Sequence, residues 1–375
     1  MKFIDLQHQY LAYRPEIDAR MRGVIEHAQF IMGPEIQELE DVLAARVRVA
    51  HAITTANGTA SLEMALRALE IGRGDEVITP PFTWISTAEV VRLVGATPVF
   101  VDIEERGFNI DPGLLDAAIN RKTKAIIAVN LFGQMANYRQ ISEIAGHRNV
   151  PVIEDAAQSF GATQNGQQSG SVTKIGCTSF FPAKPFGCFG DGGAIFTNDD
   201  ALAERIRAIR IHGATNHEHR YIGTNGRFDT LQAAVLLAKL GHFDDELRAR
   251  QRVATRYAEA LSEICRIPLI IDGNTHTYAQ YTIRVVGREQ IQQAARDGGV
   301  PTVVYYPRCI HEQPAFADLG YVHGDFPVSE RAAKEVMSLP LHPFLTMDDQ
   351  HQVIDVLRSA IVAVGRPQFS GQVHE

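Results

Sequence analysis

The stretch "KAIIAVNLFGQMANYRQISEIAGHRNVPVIED", residues 124–155, contains two short apolar runs that each end in polar side chains. The runs "KAIIAVN" and "VPVIED" are rich in β-branched and small residues, so they predict two strands. Strands without polar alternation are typical of parallel sheets that are covered by helices on both faces. The stretch therefore predicts an α/β fold.

The same pattern recurs along the first two thirds of the chain. Further strands are predicted at "DEVITP", "TPVFVDI", "CTSFF" and "GAIFTN". The segment "NGTASLEMALRALEIG" predicts a capped helix, because Asn57 precedes it and Leu62, Leu66 and Leu69 share one face. This order of strands and helices predicts a largely parallel sheet with helices on either side.

The last third of the chain has a different pattern. Residues 229–265 predict a long helical stretch that leads out of the large domain. A strand "YAQYTIRVV", a helix "REQIQQAARDGG", a strand "VPTVVYYP" and a helix "DDQHQVIDVLRSAIVAV" follow. We therefore predict a large domain over residues 1–245 and a smaller α+β domain over residues 246–375, with a frayed end at "GRPQFSGQVHE".

Composition excludes several classes of protein. The chain is 45% hydrophobic and 21% charged, which is ordinary for a folded enzyme, and its formal charge of −8 argues against nucleic acid as a partner. The arginines at 248, 250, 252 and 256 are balanced by acids at helical spacing and predict a solvated helix face. No signal peptide, membrane span or CxxC pair is present, so we expect a cytoplasmic protein with reduced cysteines.

The segment "SFFPAKPFGCFGDGGAIFTND", residues 179–199, places Lys184 before a run of glycines. A P-loop and a dinucleotide fingerprint are both excluded, since their glycines open a helix and these lead into a strand. A solvated lysine beside a turn remains an alternative. However, Lys184 follows a strand at the edge where α/β sheets bind ligands, and partial desolvation there lowers a lysine pKa as Schiff-base formation requires.

Three other segments offer polar or aromatic groups at predicted strand or helix ends. Asp155 in "VPVIEDAAQSFG" is a metal ligand, a helix cap or a partner for a cofactor cation, and a metal is disfavoured because no His or second acidic cluster accompanies it. The "NGTAS" helix start is an anion site or a plain N-cap. Trp84 in "PFTWIST" stacks on a planar ring or belongs to the core or an interface.

Together, these four segments describe pyridoxal phosphate chemistry. The sequence also resembles the DegT/StrS sugar aminotransferases along nearly the whole chain. The motifs that carry the resemblance are "FIDL", "ANGTASLEMAL", "GDEVITPPFTW", "VIEDAAQSFGA", "TSFFPAKPFGCFGDGGAIFTND", "GRFDTLQAAVL" and "YAQYTIR". The resemblance implies the type I aspartate aminotransferase fold, with a mostly parallel seven-stranded sheet in the large domain and a smaller C-terminal domain.

The resemblance also implies roles for individual residues. Lys184 forms the Schiff base with the cofactor and Asp155 pairs with its ring nitrogen. The remaining cofactor contacts are Gln158 near the ring hydroxyl, Trp84 on the ring face, Gly58, Thr59 and Ser179 at the phosphate, and Asn225 reaching the phosphate from the second subunit of a homodimer. L-glutamate is the implied amino donor. Relatives with histidine in place of Lys184 perform dehydration, so the lysine indicates transamination.

Several sequence segments look most like those of the enzymes that aminate C3 of UDP-2-acetamido-2-deoxy-3-oxo-glucuronate in the synthesis of surface polysaccharides such as O-antigen. Arg227 and Arg308 are predicted substrate contacts, because a pyrophosphate and a uronic carboxylate need cationic donors, and Tyr306 is a third predicted contact. Surface roles for both arginines remain open. Those relatives tend to read "HYP", whereas this chain has Tyr305 in place of the histidine. The alternatives are therefore a UDP- or dTDP-linked 3-keto or 4-keto hexose, or a sensor without turnover.

Overall fold

The structure is a computed structural model, and it describes residues 1–365. The segment 366–375, which includes most of the predicted frayed end, lies outside the described residues. Within residues 1–365 no helix is both long and apolar enough to cross a membrane.

The described chain folds into the following strands and helices. The strands are β1 (His51–Thr55), β2 (Glu76–Thr79), β3 (Thr97–Phe100), β4 (Thr123–Val129), β5 (Val152–Asp155), β6 (Thr163–Gln164), β7 (Gln167–Gln168), β8 (Ile175–Ser179), β9 (Gly193–Thr197), β10 (Ala214–Thr215), β11 (Glu218–His219), β12 (Tyr281–Arg284) and β13 (Val336–Leu339). The helices are α1 (Leu6–His27), α2 (Pro34–Val47), α3 (Gly58–Ala68), α4 (Ser86–Leu93), α5 (Leu115–Ala118), α6 (Tyr138–His147), α7 (Asp200–Arg210), α8 (Thr230–Leu240), α9 (Phe243–Leu261), α10 (Arg288–Asp297), α11 (Pro327–Glu335) and α12 (Met347–Val364).

A seven-stranded sheet forms the centre of the molecule, with the strand order β1-β9-β8-β5-β4-β2-β3. The neighbouring strands from β3 to β8 run parallel to one another, and β9 runs antiparallel to both β8 and β1. The prediction of a largely parallel sheet is confirmed. Because parallel strands end at one edge of a sheet, the carboxyl ends of β5 and β8 lie side by side there.

The two faces of the sheet are both buried, as the apolar runs predict. In β4, Ala125 and Ile127 belong to one hydrophobic cluster, which also contains residues of α3 and α7. Ile126 and Ala128 belong to another cluster, which contains residues of α6. Successive side chains of a strand point to opposite faces, so one uninterrupted apolar run supplies both layers of core.

The C-terminal part of the described chain has its own hydrophobic cluster, which runs from Val253 to Ile361 and surrounds the antiparallel pair β12 and β13. The predicted strand "VPTVVYYP" is wrong, because only Val303 pairs, through an isolated bridge to Ser338. Pro301 and Pro307 lack the N–H groups that a ladder needs. The domain boundary at residue 245 stays a prediction, and α9 spans it.

Two further features differ from the predictions. The helical stretch at 229–265 is two helices, α8 and α9, that are separated at Gly241 and His242. The solvated face predicted for the arginine-rich stretch is wrong at Arg250, which is buried and donates to the carbonyls of Tyr278 and Leu341 at 3.1 and 3.4 Å. Burial lowers the pKa of Arg250 to about 10, and the charge of Glu246 opposes that shift.

Candidate active site

Lys184 and Asp155 lie at the ends of neighbouring strands. Asp155 is the last residue of β5 and pairs in register with Cys177 of β8, and Lys184 lies in the turn that follows β8. The Lys184 amide donates to the Phe181 carbonyl at 2.9 Å, which closes that turn. The sheet therefore brings the predicted acid and the predicted amine to one place.

Burial shifts both groups toward their neutral forms. It lowers the pKa of the Lys184 amine to about 8, and the charge of Asp155 opposes the shift. It also raises the pKa of the buried Asp155 carboxyl, against the amide of Ala157, the charge of Lys184 and the hydroxyl of Thr87. A fraction of Lys184 is therefore a neutral, nucleophilic amine near pH 8.

The Asp155 carboxylate is held by two neighbours. Its Oδ1 accepts from the Ala157 amide at 3.1 Å and its Oδ2 accepts from the Thr87 hydroxyl at 3.2 Å. Ala157 lies in a turn and does not begin an α-helix, so Asp155 is not a helix cap. Among the described residues, no group of three or more His, Cys, Asp or Glu side chains is arranged to hold a metal ion.

The amino end of α3 meets the end of β8. The Asn57 side chain accepts from the Ala60 amide at 2.8 Å, so the predicted N-cap is confirmed. A Cβ atom on Gly58 would lie 2.8 Å from the Ser179 Cβ, so no larger residue fits there. Gly58 and Ser179, two of the three predicted phosphate contacts from this subunit, are therefore in direct contact, and Thr59, the third, follows Gly58 in the first turn of α3.

Gln158, Tyr306 and Trp84 form a second side of the site. Gln158 accepts from the Phe132 amide at 2.6 Å and donates to the Tyr306 hydroxyl at 3.2 Å. The Tyr306 ring lies 5.8 Å from the Trp84 ring, and Trp84 is 57% exposed. A core position for Trp84 is therefore excluded, and its indole ring is available for stacking.

Three predicted site residues, Arg308, Asn225 and Arg227, make no hydrogen bond or ion pair with Lys184 within residues 1–365. Arg308 is exposed and makes no hydrogen bond or ion pair within residues 1–365. Asn225 is also exposed, and the next residue, Gly226, accepts from the Ala56 amide at 2.8 Å just ahead of α3. The buried Nε atom of Arg227 has no hydrogen-bond partner in the described part of the chain. An incoming anion would satisfy it.

The sequence did not predict the hydrogen bonds that hold the end of β5 in place. Glu154, beside Asp155, accepts from Asn130, Ser169 and the Gly170 amide, each at 2.8 Å. Burial raises the pKa of Glu154 to about 7, and these hydrogen bonds oppose the shift. Thr87, which donates to Asp155, follows Trp84 closely in the chain, but only the fold brings it to the end of β5. No local sequence signal identifies contacts of this kind.

The sequence matches the DegT/DnrJ/EryC1/StrS aminotransferase family over residues 12–358. The chain belongs to this family. It is 50% identical over 347 residues to the UDP-2-acetamido-2-deoxy-3-oxo-D-glucuronate aminotransferase of Pseudomonas aeruginosa, and the match covers 92% of this chain and 96% of that protein.

Solved structures agree with the sequence comparison. A DegT DnrJ EryC1 StrS aminotransferase from Brucella abortus has a TM-score of 0.93 at 42% identity, covering 96% of this chain and 99% of that one. The structure of ntda from Bacillus subtilis with bound cofactor PMP has a TM-score of 0.88 at 31% identity, covering 94% and 82%. The predicted family, fold class and cofactor are confirmed, so the chain is a pyridoxal phosphate-dependent aminotransferase.

The site suits that cofactor. Gly58 packs directly against Ser179 at the amino end of α3, so backbone amides and small hydroxyl side chains lie together there, and these groups suit a phosphate. Within residues 1–365 the buried Asp155 carboxylate accepts two hydrogen bonds, and its pKa is raised, so a cationic ring nitrogen would stabilise its charged form.

Proposed function

We propose that this aminotransferase moves an amino group from L-glutamate to the C3 ketone of UDP-2-acetamido-2-deoxy-3-oxo-glucuronate. The observation that carries the transfer is the Lys184 amine, with a pKa of about 8, opposite the Asp155 carboxylate at the ends of neighbouring strands. The sugar is inferred from the 50% identity to the Pseudomonas aeruginosa enzyme.

In this proposal, each side of the site has one task. Gly58, Thr59 and Ser179 bind the cofactor phosphate, together with Asn225 of a second subunit in a homodimer. Trp84 covers one face of the ring, Gln158 lies near its hydroxyl, and Asp155 favours the protonated ring nitrogen by charge pairing. When bound, pyridoxal phosphate supplies an electron sink for the negative charge that develops at the donor carbon.

Lys184 performs the proton transfers. With cofactor and donor bound, its neutral amine would take the proton from the carbon that bears the donor nitrogen. Burial favours this neutral form near pH 8, so the amine acts as a base without a further activating group. In the second half of the cycle the same amine delivers the proton to the sugar carbon that receives nitrogen.

Two arginines are the proposed sugar contacts. The unpartnered, buried Nε of Arg227 suits a phosphate or carboxylate oxygen, and the exposed Arg308 guanidinium has no competing partner in residues 1–365. Tyr306 lies between Trp84 and Gln158, where it contacts the sugar in this proposal. We place the reaction in the cytoplasm and in the synthesis of surface polysaccharide such as O-antigen. The described cysteines are all free, which suits a reducing compartment.

One feature favours a second substrate. Tyr305 and Arg308 stand where relatives tend to have a histidine and an apolar residue, so a UDP- or dTDP-linked 3-keto or 4-keto hexose is the alternative sugar. The test offers a panel of these keto sugars to the enzyme after glutamate has converted it to the pyridoxamine form. We expect the uronate to restore the visible spectrum of the lysine-bound cofactor fastest. A neutral hexose that restores it faster would replace the uronate, and a spectrum that glutamate never changes would indicate a sensor.

A further inference from the structure

One face of α8 contacts the segment that carries Lys184. Gln232, Leu236 and Lys239 are spaced four and three residues apart, so they lie on the same side of the helix. Gln232 Oε1 accepts from the Phe189 amide at 2.8 Å, and Lys239 Nζ donates to the Gly187 carbonyl. Leu236 belongs to the same hydrophobic cluster as Phe186 and Cys188. We call residues 181–190 the Lys184 loop.

The Lys184 loop is tightly folded at the point where Lys239 binds it. A Cβ atom on Gly187 would lie 2.5 Å from the Phe181 carbonyl oxygen and 2.6 Å from that of Pro182. The Cys188 amide also donates to the Phe180 carbonyl at 2.8 Å. Lys184 lies between these contacts, so a displacement of Gly187 changes the position from which the Lys184 side chain leaves the backbone.

Lys239 is an unusual choice for this position. It is only 4% exposed, and its ammonium group lies 5.9 Å from the centre of the Phe189 ring. Burying a charge is costly unless it is paired, and an apolar residue of similar volume often packs as well. The buried acid near it is Glu246 of α9, which is itself held by the Gln9 side chain at 2.7 and 3.0 Å. The proposed chemistry does not use this ammonium group.

We propose that Lys239 is a positioning residue for Lys184. Its charged hydrogen bond to the Gly187 carbonyl fastens the Lys184 loop to α8, while Gln232 fastens the next turn of the loop and Glu246 balances the buried charge. The inference rests on the proposed role of Lys184 as the cofactor lysine. The functional consequence is that the Lys184 amine is held at the end of β8 before the cofactor arrives.

The test measures how fast the apoprotein forms its imine with added pyridoxal phosphate, from the visible absorbance. Lys239→Met keeps the length and burial of the side chain but removes its N–H donors. We expect imine formation and kcat to fall together by about 100-fold, the effect of a displacement near 1 Å, while KM for both substrates stays within about 2-fold. Gln232→Met loses only one contact from a half-buried position, so we expect a slowing of about 5-fold.

Arg284→Met is the matched control. Arg284 is also a buried cation, but it binds Glu105 and Glu335 and makes no hydrogen bond or ion pair with the Lys184 loop in the described part of the chain. We expect this variant to unfold more easily than wild type and to form the imine at the wild-type rate. If Arg284→Met slows imine formation as much as Lys239→Met, the effect is general destabilisation and the inference is wrong.

Two further outcomes overturn the inference. A folded Lys239→Met protein that forms the imine at the wild-type rate would show that the hydrogen bond does not position Lys184. If Lys239→Met does not fold, Gln232→Met decides the question, and a wild-type rate in that variant contradicts the proposal. The proposed function fails separately, because a wild-type imine that glutamate cannot remove contradicts transamination whatever the Lys239 variants do.

Discussion

Two buried acid–base groups lie near the central sheet, and they differ in which protonation state the protein favours. Glu40 accepts from Arg207 and Arg210, each at 2.6 Å, and from the Thr54 amide at 2.9 Å. Burial alone would raise the pKa of Glu40, but these charges and hydrogen bonds outweigh it and hold the pKa below its ordinary value. The Glu40 carboxylate is therefore ionised and paired with two arginines.

In contrast, Lys184 and Asp155 are both shifted toward their neutral forms. Burial dominates there, so the pKa of Asp155 is raised and the pKa of Lys184 is lowered to about 8. A carboxylate with its charges satisfied contributes to stability, whereas a pair whose charged forms are disfavoured is ready to react or to bind a charged ligand. Burial of a charged group alone does not identify an active site. Glu40 differs from Asp155 in having two arginine partners, whose charges outweigh the effect of burial.

The largest effect is expected for Lys184→Ala. We expect turnover to fall by about 10⁴-fold or more, because both the cofactor linkage and the proton transfer are lost. The measurement is the steady-state rate with glutamate and the keto sugar. Lys174→Ala is the matched control, since Lys174 lies just ahead of β8 and is exposed beside Asp199 at 3.7 Å. If Lys184→Ala and Lys174→Ala had similar turnover rates, Lys184 would have no special role in catalysis.

Asp155→Asn is expected to lower the rate of proton transfer by about 10³-fold while cofactor still binds, because the amide cannot charge-pair with a protonated ring nitrogen. Stopped-flow absorbance after mixing with glutamate measures this step. Asp199→Asn, which alters a half-buried helix cap away from Lys184, serves as the control. A near-normal rate for Asp155→Asn would contradict the assignment.

A substitution at Glu40 is expected to lower the stability of the fold and not the rate of catalysis. Glu40→Gln leaves Arg210 buried without its counter-charge, so we expect a loss of about 3 kcal/mol in the free energy of unfolding, measured with urea on the apoprotein. Glu38→Gln, at an exposed pair with Arg20, should cost less than about 0.5 kcal/mol. If both variants lost the same free energy of unfolding, the buried Glu40 would contribute no more to stability than an exposed ion pair.

The same group predicts a pH dependence with a defined sign. The pKa of Glu40 is lower in the folded state than in the unfolded state, so its stabilisation is fully present above the unfolded pKa, near 4.3. It is lost as the pH falls through the folded pKa. The free energy of unfolding of wild type should therefore fall more steeply with decreasing pH than that of Glu40→Gln. If urea unfolding gave the same slope against pH for both proteins in acid, the prediction would be contradicted.

The smallest effect concerns the pH dependence of Lys184 itself. Only the neutral amine attacks an aldehyde, so the rate of imine formation by the apoprotein should fall about tenfold for each pH unit below about 8 and level off above it. Absorbance kinetics between pH 6 and 10 measure the midpoint. A midpoint near the ordinary lysine pKa of about 10.4 would show that burial does not activate Lys184.

The sequence predicts the interior of the sheet well because buried parallel strands are apolar throughout. The strand β1, "HAITT", was missed, since its threonines face the Glu40 group and the start of α3 rather than an apolar layer. The proximity of Lys184 and Asp155 was predictable because the ends of parallel strands share an edge of the sheet. The contacts of Thr87 with Asp155 and of Lys239 with Gly187 join residues 68 and 52 positions apart, which no local pattern encodes.

The most direct test of the account is to reduce the cofactor-loaded protein with borohydride and locate the label by peptide mass spectrometry. We predict that the label lies on Lys184 alone and that prior treatment with glutamate prevents it. Lys239 provides an internal comparison, because its pKa is also lowered to about 8 by burial but its ammonium group is bound to the Gly187 carbonyl. A label on Lys239, or a label on Lys184 that survives glutamate, would contradict the assignment of Lys184 as the group that carries and releases the cofactor.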